Sequence, residues 1–111
     1  MNVDWAKELN LAITIMDLEG TIIYMNDKSA NTFEKDGGKD LVGNKLQFCH
    51  TERSNQIIKN LLNNKETNTY TIEKNGVKKL IYQTPWYENE NCMGLVEFSL
   101  VIPFEMPHFI R

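Results

Sequence analysis

The sequence predicts an α+β domain: a five-stranded antiparallel sheet with helices covering one face. Three observations predict it. Alternating apolar residues mark strands near both ends of the chain, whereas helical periodicity appears only between them. The last three strands follow one another through short polar turns, the signature of an antiparallel meander. Such a sheet carries an apolar face that needs cover, and the intervening helices are the elements able to supply it. The 111 residues make one domain, because a second core would leave too few residues for each.

Residues 2–10 read as a short helix, with Trp5 and Leu9 four apart on one face. Ala12-Ile-Thr-Ile-Met alternates and is rich in β-branched residues, so it reads as a strand. Asp17-Leu-Glu-Gly20 is a turn, and Thr21–Met25 is the second strand of a hairpin. Asn26 is a good helix N-cap, followed by Asp27–Glu34 with Ala30 and Phe33 on the apolar side. Gly37-Gly38 breaks that helix, and Asp40 caps a single turn ending at Gly43. Thr51 or Glu52 opens a longer helix through Asn64, with Ile57, Ile58, Leu61 and Leu62 as its apolar stripe. Thr67–Lys74 is extended, Asn75-Gly76 is a strong hairpin signal, and Val77–Tyr87 answers as the partner strand. Pro85 marks an edge or a bulge near the end of that strand. Met93–Ile102 closes the series, and Pro103 and Pro107 stop regular structure in the tail.

Hydrophobic residues make up 41% and charged residues 24%, which places the chain among folded globules rather than disordered segments. The formal charge of −3 argues against non-specific nucleic-acid binding, which needs a basic face. No apolar run approaches the ~20 residues of a membrane span. Met1–Asn10 lacks the basic-then-apolar order of a secretion signal. The expectation is a cytoplasmic protein with neither nucleic-acid nor membrane partners. Cys49 and Cys92 are too few for a disulfide framework and read as free thiols.

Catalytic motifs are missing from the sequence. It has no Gly-x-Ser-x-Gly elbow and no glycine-rich loop preceding a lysine, and Gly37-Gly38 reads as a helix breaker rather than a phosphate cradle. Cys49, His50, Cys92 and His108 do not have the spacing of a closed zinc site. Neither an enzyme nor a metal site is expected.

Ala12-Ile-Thr-Ile-Met-Asp-Leu-Glu-Gly-Thr-Ile-Ile-Tyr-Met-Asn26 resembles the opening of a PAS domain: an apolar strand, Asp-x-x-Gly, a second strand, then Asn. Ala30 and Phe33 match the small and aromatic residues of the helix that follows, and Asp40-Leu-Val-Gly-Asn-Lys-Leu46 resembles a further family segment. The closing strands fit as well. The domain is accordingly expected over residues 12–102, with an N-terminal helix over 1–11 and a tail over 103–111.

The resemblance implies a sensory, signal-transducing regulatory module of bacterial type. It would bind a small molecule between the sheet and the long helix, or dimerise, without being an enzyme. Signalling modules of this family usually feed an attached output domain; none is visible in this sequence, so its output would act on a partner protein in trans or through self-association. Fold alone does not name the ligand.

Cys49-His50 lies where this fold borders its cavity. His50 is a candidate heme ligand through a neutral imidazole nitrogen, which would make the chain a gas or redox sensor; capping the start of the long helix is its structural alternative. Cys49 is a candidate covalent attachment point, as in a chromophore-bearing relative of the fold. Gly43-Asn-Lys-Leu-Gln-Phe-Cys-His50 does not match the Asn-Cys-Arg-Phe-Leu-Gln sequence of flavin-adduct domains. Only the final Cys-His of a c-type heme motif is present.

On the penultimate strand Tyr82, Thr84 and Trp86 share one face, and Ile81, Gln83 and Tyr87 the other. On the last strand the set Val96, Phe98 and Leu100 is more apolar than Leu95, Glu97, Ser99 and Val101, and either face is able to meet the helices. A ligand cavity is mostly apolar with a few orienting polar groups. His50, Tyr82, Gln83 and Trp86 are the candidate anchors, and Cys49, Phe33, Ile58 and Phe98 the remaining candidate ligand-binding residues. Trp5, Leu9 and the apolar tail residues Phe104, Met106, Phe109 and Ile110 need cover, which points to a homodimer in which a helix packs on the outer sheet face. A pure interaction module with a filled core is the competing reading.

Overall fold

The computed structural model describes residues 4–45 and 52–111, with side chains of the long helix from Gln56 onward. Strands β1 (Ala12–Asp17) and β2 (Ile22–Met25) form the expected hairpin. Helix α1 (Asp27–Thr32) follows, then two 3-10 turns over Glu34–Asp36 and Gly38–Leu41. Helix α2 spans Glu52–Asn64. Strands β3 (Asn68–Lys74), β4 (Val77–Glu88) and β5 (Asn91–Ile102) complete the chain as a meander. The sheet order is β2-β1-β5-β4-β3, with every neighbouring pair antiparallel.

The first and last strands therefore pair at the centre of the sheet, Thr14 opposite Glu97 and Met16 opposite Leu95. Two tight turns hold the meander. Asn75 and Gly76 both take positive φ (54° and 76°), the geometry of a hairpin turn that matches strand twist. Asn89 and Glu90 repeat it at φ 48° and 71°, a turn the sequence conceals because glutamate is an unusual occupant of that conformation. Pro85 faces Leu95 on β5 but lies beyond the stretch of β4 that pairs with β3, so its missing N–H breaks no ladder, and a bulge follows between Trp86 and Tyr87.

The register sorts the side chains onto two faces. Ala12, Thr14 and Met16, Leu95, Glu97 and Ser99, and Ile81 and Gln83 share the face that meets the helices. There Met16, Ile22, Met25, Leu41, Ile58, Leu61 and Leu95 form the buried core, with Phe33 and Leu62 packed against it. Ile13, Val96, Phe98 and Tyr82 stand on the opposite face. The less apolar alternation of β5 thus turns inward. Glu97 is held there by the Gln83 amide, while Phe98 and Leu100 of the apolar set are left half-buried.

The N-terminal segment departs from the expected helix. Lys7 and Leu9 donate their amides to the carbonyls of Asp4 and Ala6, both at 3.3 Å, which makes turns. The carbonyls a helix would use are taken by the start of α1. The Asn26 side-chain amide donates to Ala6 O (3.0 Å) and Leu11 O (2.7 Å), and the Asp27 amide donates to Lys7 O (3.0 Å). Trp5 is 71% exposed and covers no sheet face. The tail also stays in solvent, with Phe104, Met106, Phe109 and Ile110 all exposed.

Candidate functional site

Asn26 organises the entrance to the helical layer. It is wholly buried. Its Oδ1 accepts from the amides of Ile13 (2.9 Å) and Ser29 (3.0 Å), so one side chain caps α1 and ties it to β1. One turn on, the hydroxyls of Thr14 and Ser29 hydrogen-bond to each other in the interior. These links set the end of α1 against the sheet and leave a space beside it.

That space is a pocket of about 180 Å³. Thr32 and Phe33 form its helical wall, Ala12 and Thr14 contribute from β1, and Glu97 and Ser99 from β5. Lys79 and Ile81 of β4 and Tyr70 and Ile72 of β3 close the far side. A wider, more polar depression of about 330 Å³ adjoins it, sharing Ala12, Thr32, Lys79 and Ser99 and adding Asn10, Lys28 and Asn31 among its walls.

The pocket is apolar in the main, with two charged residues, Glu97 and Lys79, in its wall. Glu97 is only 8% exposed. The buried Gln83 donates its Nε2 to Glu97 Oε1 at 2.7 Å and accepts from Asn68 Nδ2 at 3.1 Å. A buried carboxylate needs such donors, because an unassisted one is expensive to desolvate. Tyr70 shares the pocket, and its phenol pKa is raised, first by burial and then by the negative charge of Glu97.

Of the residues singled out from the sequence, the structure brings Phe33 and Gln83 to this region, Phe33 as wall and Gln83 as the support of Glu97. Ile58 packs in the core cluster. Tyr82, Phe98 and Trp86 lie on the other side of the sheet. Tyr82 and Phe98 pack on each other there, with ring centroids 6.4 Å apart. Trp86 donates its indole N–H to Met16 O at 3.1 Å. Cys49 and His50 lie outside the described residues. Cys92 is a half-buried free thiol.

Glu97, Tyr70, Thr14 and Lys79 were not among the candidates. Glu97 carried a readable signal, since it is the sole charged residue of β5. An acid inside a long apolar strand near the sheet centre has to find partners. Among the described residues no group of three or more His, Cys, Asp or Glu comes together. Among the same residues no helix is long and apolar enough to cross a membrane.

No family model matches the sequence, and no curated protein matches it. Solved structures do match. The PAS domain of the histidine kinase ThkA superposes with a TM-score of 0.64 at 16% identity, covering 82% of this chain and 98% of that one. A PAS domain from Colwellia psychrerythraea gives 0.65 at 22% identity over 86% and 89% of the two chains. The Aer2 receptor of Vibrio cholerae, described as a dual PAS-heme oxygen sensor, gives 0.62 at 18% identity over 84% and 95%. The chain is a PAS-fold domain.

Proposed function

We propose that the chain is a non-enzymatic sensory module that binds a small ligand in the pocket between α1 and the sheet and passes the signal to a partner protein. The observation that carries this reading is a mostly apolar pocket holding a buried, hydrogen-bonded carboxylate, the composition expected of a site that orients a small molecule. The fold likeness to sensor domains agrees with it. A ligand that binds only the folded state raises the melting temperature, by mass action. Native mass spectrometry and a thermal-shift screen of apolar probes therefore test the reading. A bound small molecule or a saturable rise supports it; a chain that carries no adduct and responds to no probe contradicts it.

The described lining of this pocket includes no histidine, cysteine or methionine, and His50, the candidate heme ligand, lies outside the described residues. Self-association is the second reading. It is favoured by the exposed tail, where Phe109 is 69% and Ile110 93% exposed, and by Tyr82 on the outer face. Sedimentation that detects only monomer at high concentration rejects the homodimer and leaves the pocket reading intact.

A further inference from the structure

Lys79 lines both adjoining depressions, Glu97 only the inner and Lys28 only the outer, and the strand register sets the direction of the resulting charge difference. Glu97 stands opposite Thr14 and Gln83, Ser99 opposite Ala12 and Ile81, and Val101 opposite Lys79. Each step of two residues along β5 advances about 6.8 Å, so the Glu97 and Lys79 rows lie roughly 13 Å apart. The row between them, Ala12, Ile81 and Ser99, is small or apolar. Lys28 on α1 joins Lys79 in lining the outer depression, beside the amide of Asn31. Among the described residues, neither the Lys28 nor the Lys79 ammonium group makes a hydrogen bond or ion pair. Among the described residues Lys28 and Lys79 thus line one depression without a carboxylate partner, and Lys79 also borders the mostly apolar inner pocket that ends at the Glu97 carboxylate.

We infer that the ligand is a compact amphiphilic anion, an apolar body with a single carboxylate-like head, bound with its body over Ala12 and Ile81 and its head at Lys28 and Lys79. This rests on the pocket reading above and goes beyond it by naming the ligand class and its orientation. Glu97 repels an anionic head from the inner end, and the lysines attract it at the outer end, so the two charges act in the same sense. The inner volume of about 180 Å³ limits the body to the size of one aromatic ring or a branched alkyl group. Lysine offers a mobile point charge rather than a planar fork, so the head is selected by charge more than by shape.

Three isosteric probes separate the contributions: phenylpropanoate, phenylpropanol and phenylpropylamine, titrated by calorimetry into the full chain. The expected order is carboxylate tightest, alcohol about tenfold weaker, amine weakest, one factor of ten being the free energy of about one charge-assisted contact. The carboxylate's advantage shrinks as salt is raised from low to physiological strength and beyond. Lys79→Gln and Lys28→Gln each reduce the advantage over the alcohol several-fold, and a parental urea midpoint certifies that the variants fold. If Lys79→Gln loses alcohol binding as well, Lys28→Gln, on the exposed side of α1, decides the matter. Equal affinity for carboxylate and alcohol, or a carboxylate preference that survives both substitutions, overturns the anionic-head inference while leaving the pocket reading standing. Tightest binding of the amine overturns it in the same way. Failure of all three probes to bind overturns both.

Discussion

Trp86 and Met16 are joined across an intervening strand. Trp86 sits on β4 opposite Gly94 of β5, and its indole N–H reaches over that glycine to the carbonyl of Met16 on β1. The crossing requires a residue without a side chain. Gly94 has φ 152°, and a Cβ there would stand 1.9 Å from Met16 O and 2.8 Å from Asp17 Cα. Both contacts are backbone of the neighbouring strand, so no side-chain rotation relieves them. One glycine thus lets three strands converge beside the core residue Leu95.

Gly94→Ala is expected to destabilise the chain by about 3–5 kcal/mol, overpacking adding to backbone strain. Trp86→Phe keeps the ring and removes the hydrogen bond, at about 1 kcal/mol. Urea unfolding of both variants checks the ordering. An alanine variant as stable as the parent would contradict the crossing.

Asn26 is the polar keystone of the helical layer, engaged with Ile13, Ser29, Ala6 and Leu11 through both ends of its amide. Asn26→Ala strands these buried groups and is expected to cost about 3–5 kcal/mol. Asn26→Asp preserves shape but turns a donor to two carbonyls into an acceptor. It too should lower the urea midpoint, which distinguishes hydrogen bonding from packing.

Alkaline stability follows from Tyr24. Its phenol donates to Asp4 Oδ1 at 2.8 Å, and burial, then that hydrogen bond and the charge of Asp4, push its pKa up to about 12. The folded value exceeds the ordinary value of 10.0, so the associated stability is complete below about pH 10 and is lost as the pH rises through about 12. Tyr24→Phe should be less stable near neutrality and show a shallower decline above pH 10 than the parent, as read from melting temperatures across that range.

Glu97 and Tyr70 are electrostatically linked in the pocket. Because burial comes first among the causes of the raised Tyr70 pKa and the Glu97 charge second, Glu97→Gln should lower that pKa without returning it to the exposed value. Carbon-detected NMR titration of the tyrosine ring reads it directly. An unchanged Tyr70 titration would show that burial alone sets it.

Much of the architecture was legible because local signals agree with the global fold. Asn75-Gly76, Asn26 before Asp27, the alternation of Ala12–Met16 and the apolar stripe of α2 each specify an element independently. The N-terminal turns are not legible in the sequence because Trp5 and Leu9 fit a helical period, while the competing claim on the Ala6 and Lys7 carbonyls comes from Asn26 and Asp27, some twenty residues away. The orientation of the sheet was not legible either. Alternation on β4 and β5 separates two faces without saying which is covered, and the set with Phe98 and Tyr82 is the more apolar. The covered face is the one that buries Glu97 with Gln83, because a satisfied polar pair is compatible with a covered face.

The occupancy of the pocket is tested most directly by amide chemical-shift mapping of the isotope-labelled chain during titration with phenylpropanoate. Saturable shifts concentrated at Ala12, Thr14, Ile81 and Ser99 are the predicted result. Shifts confined to Tyr82 and Phe98 on the outer face, or none at all, would contradict a ligand site beneath α1.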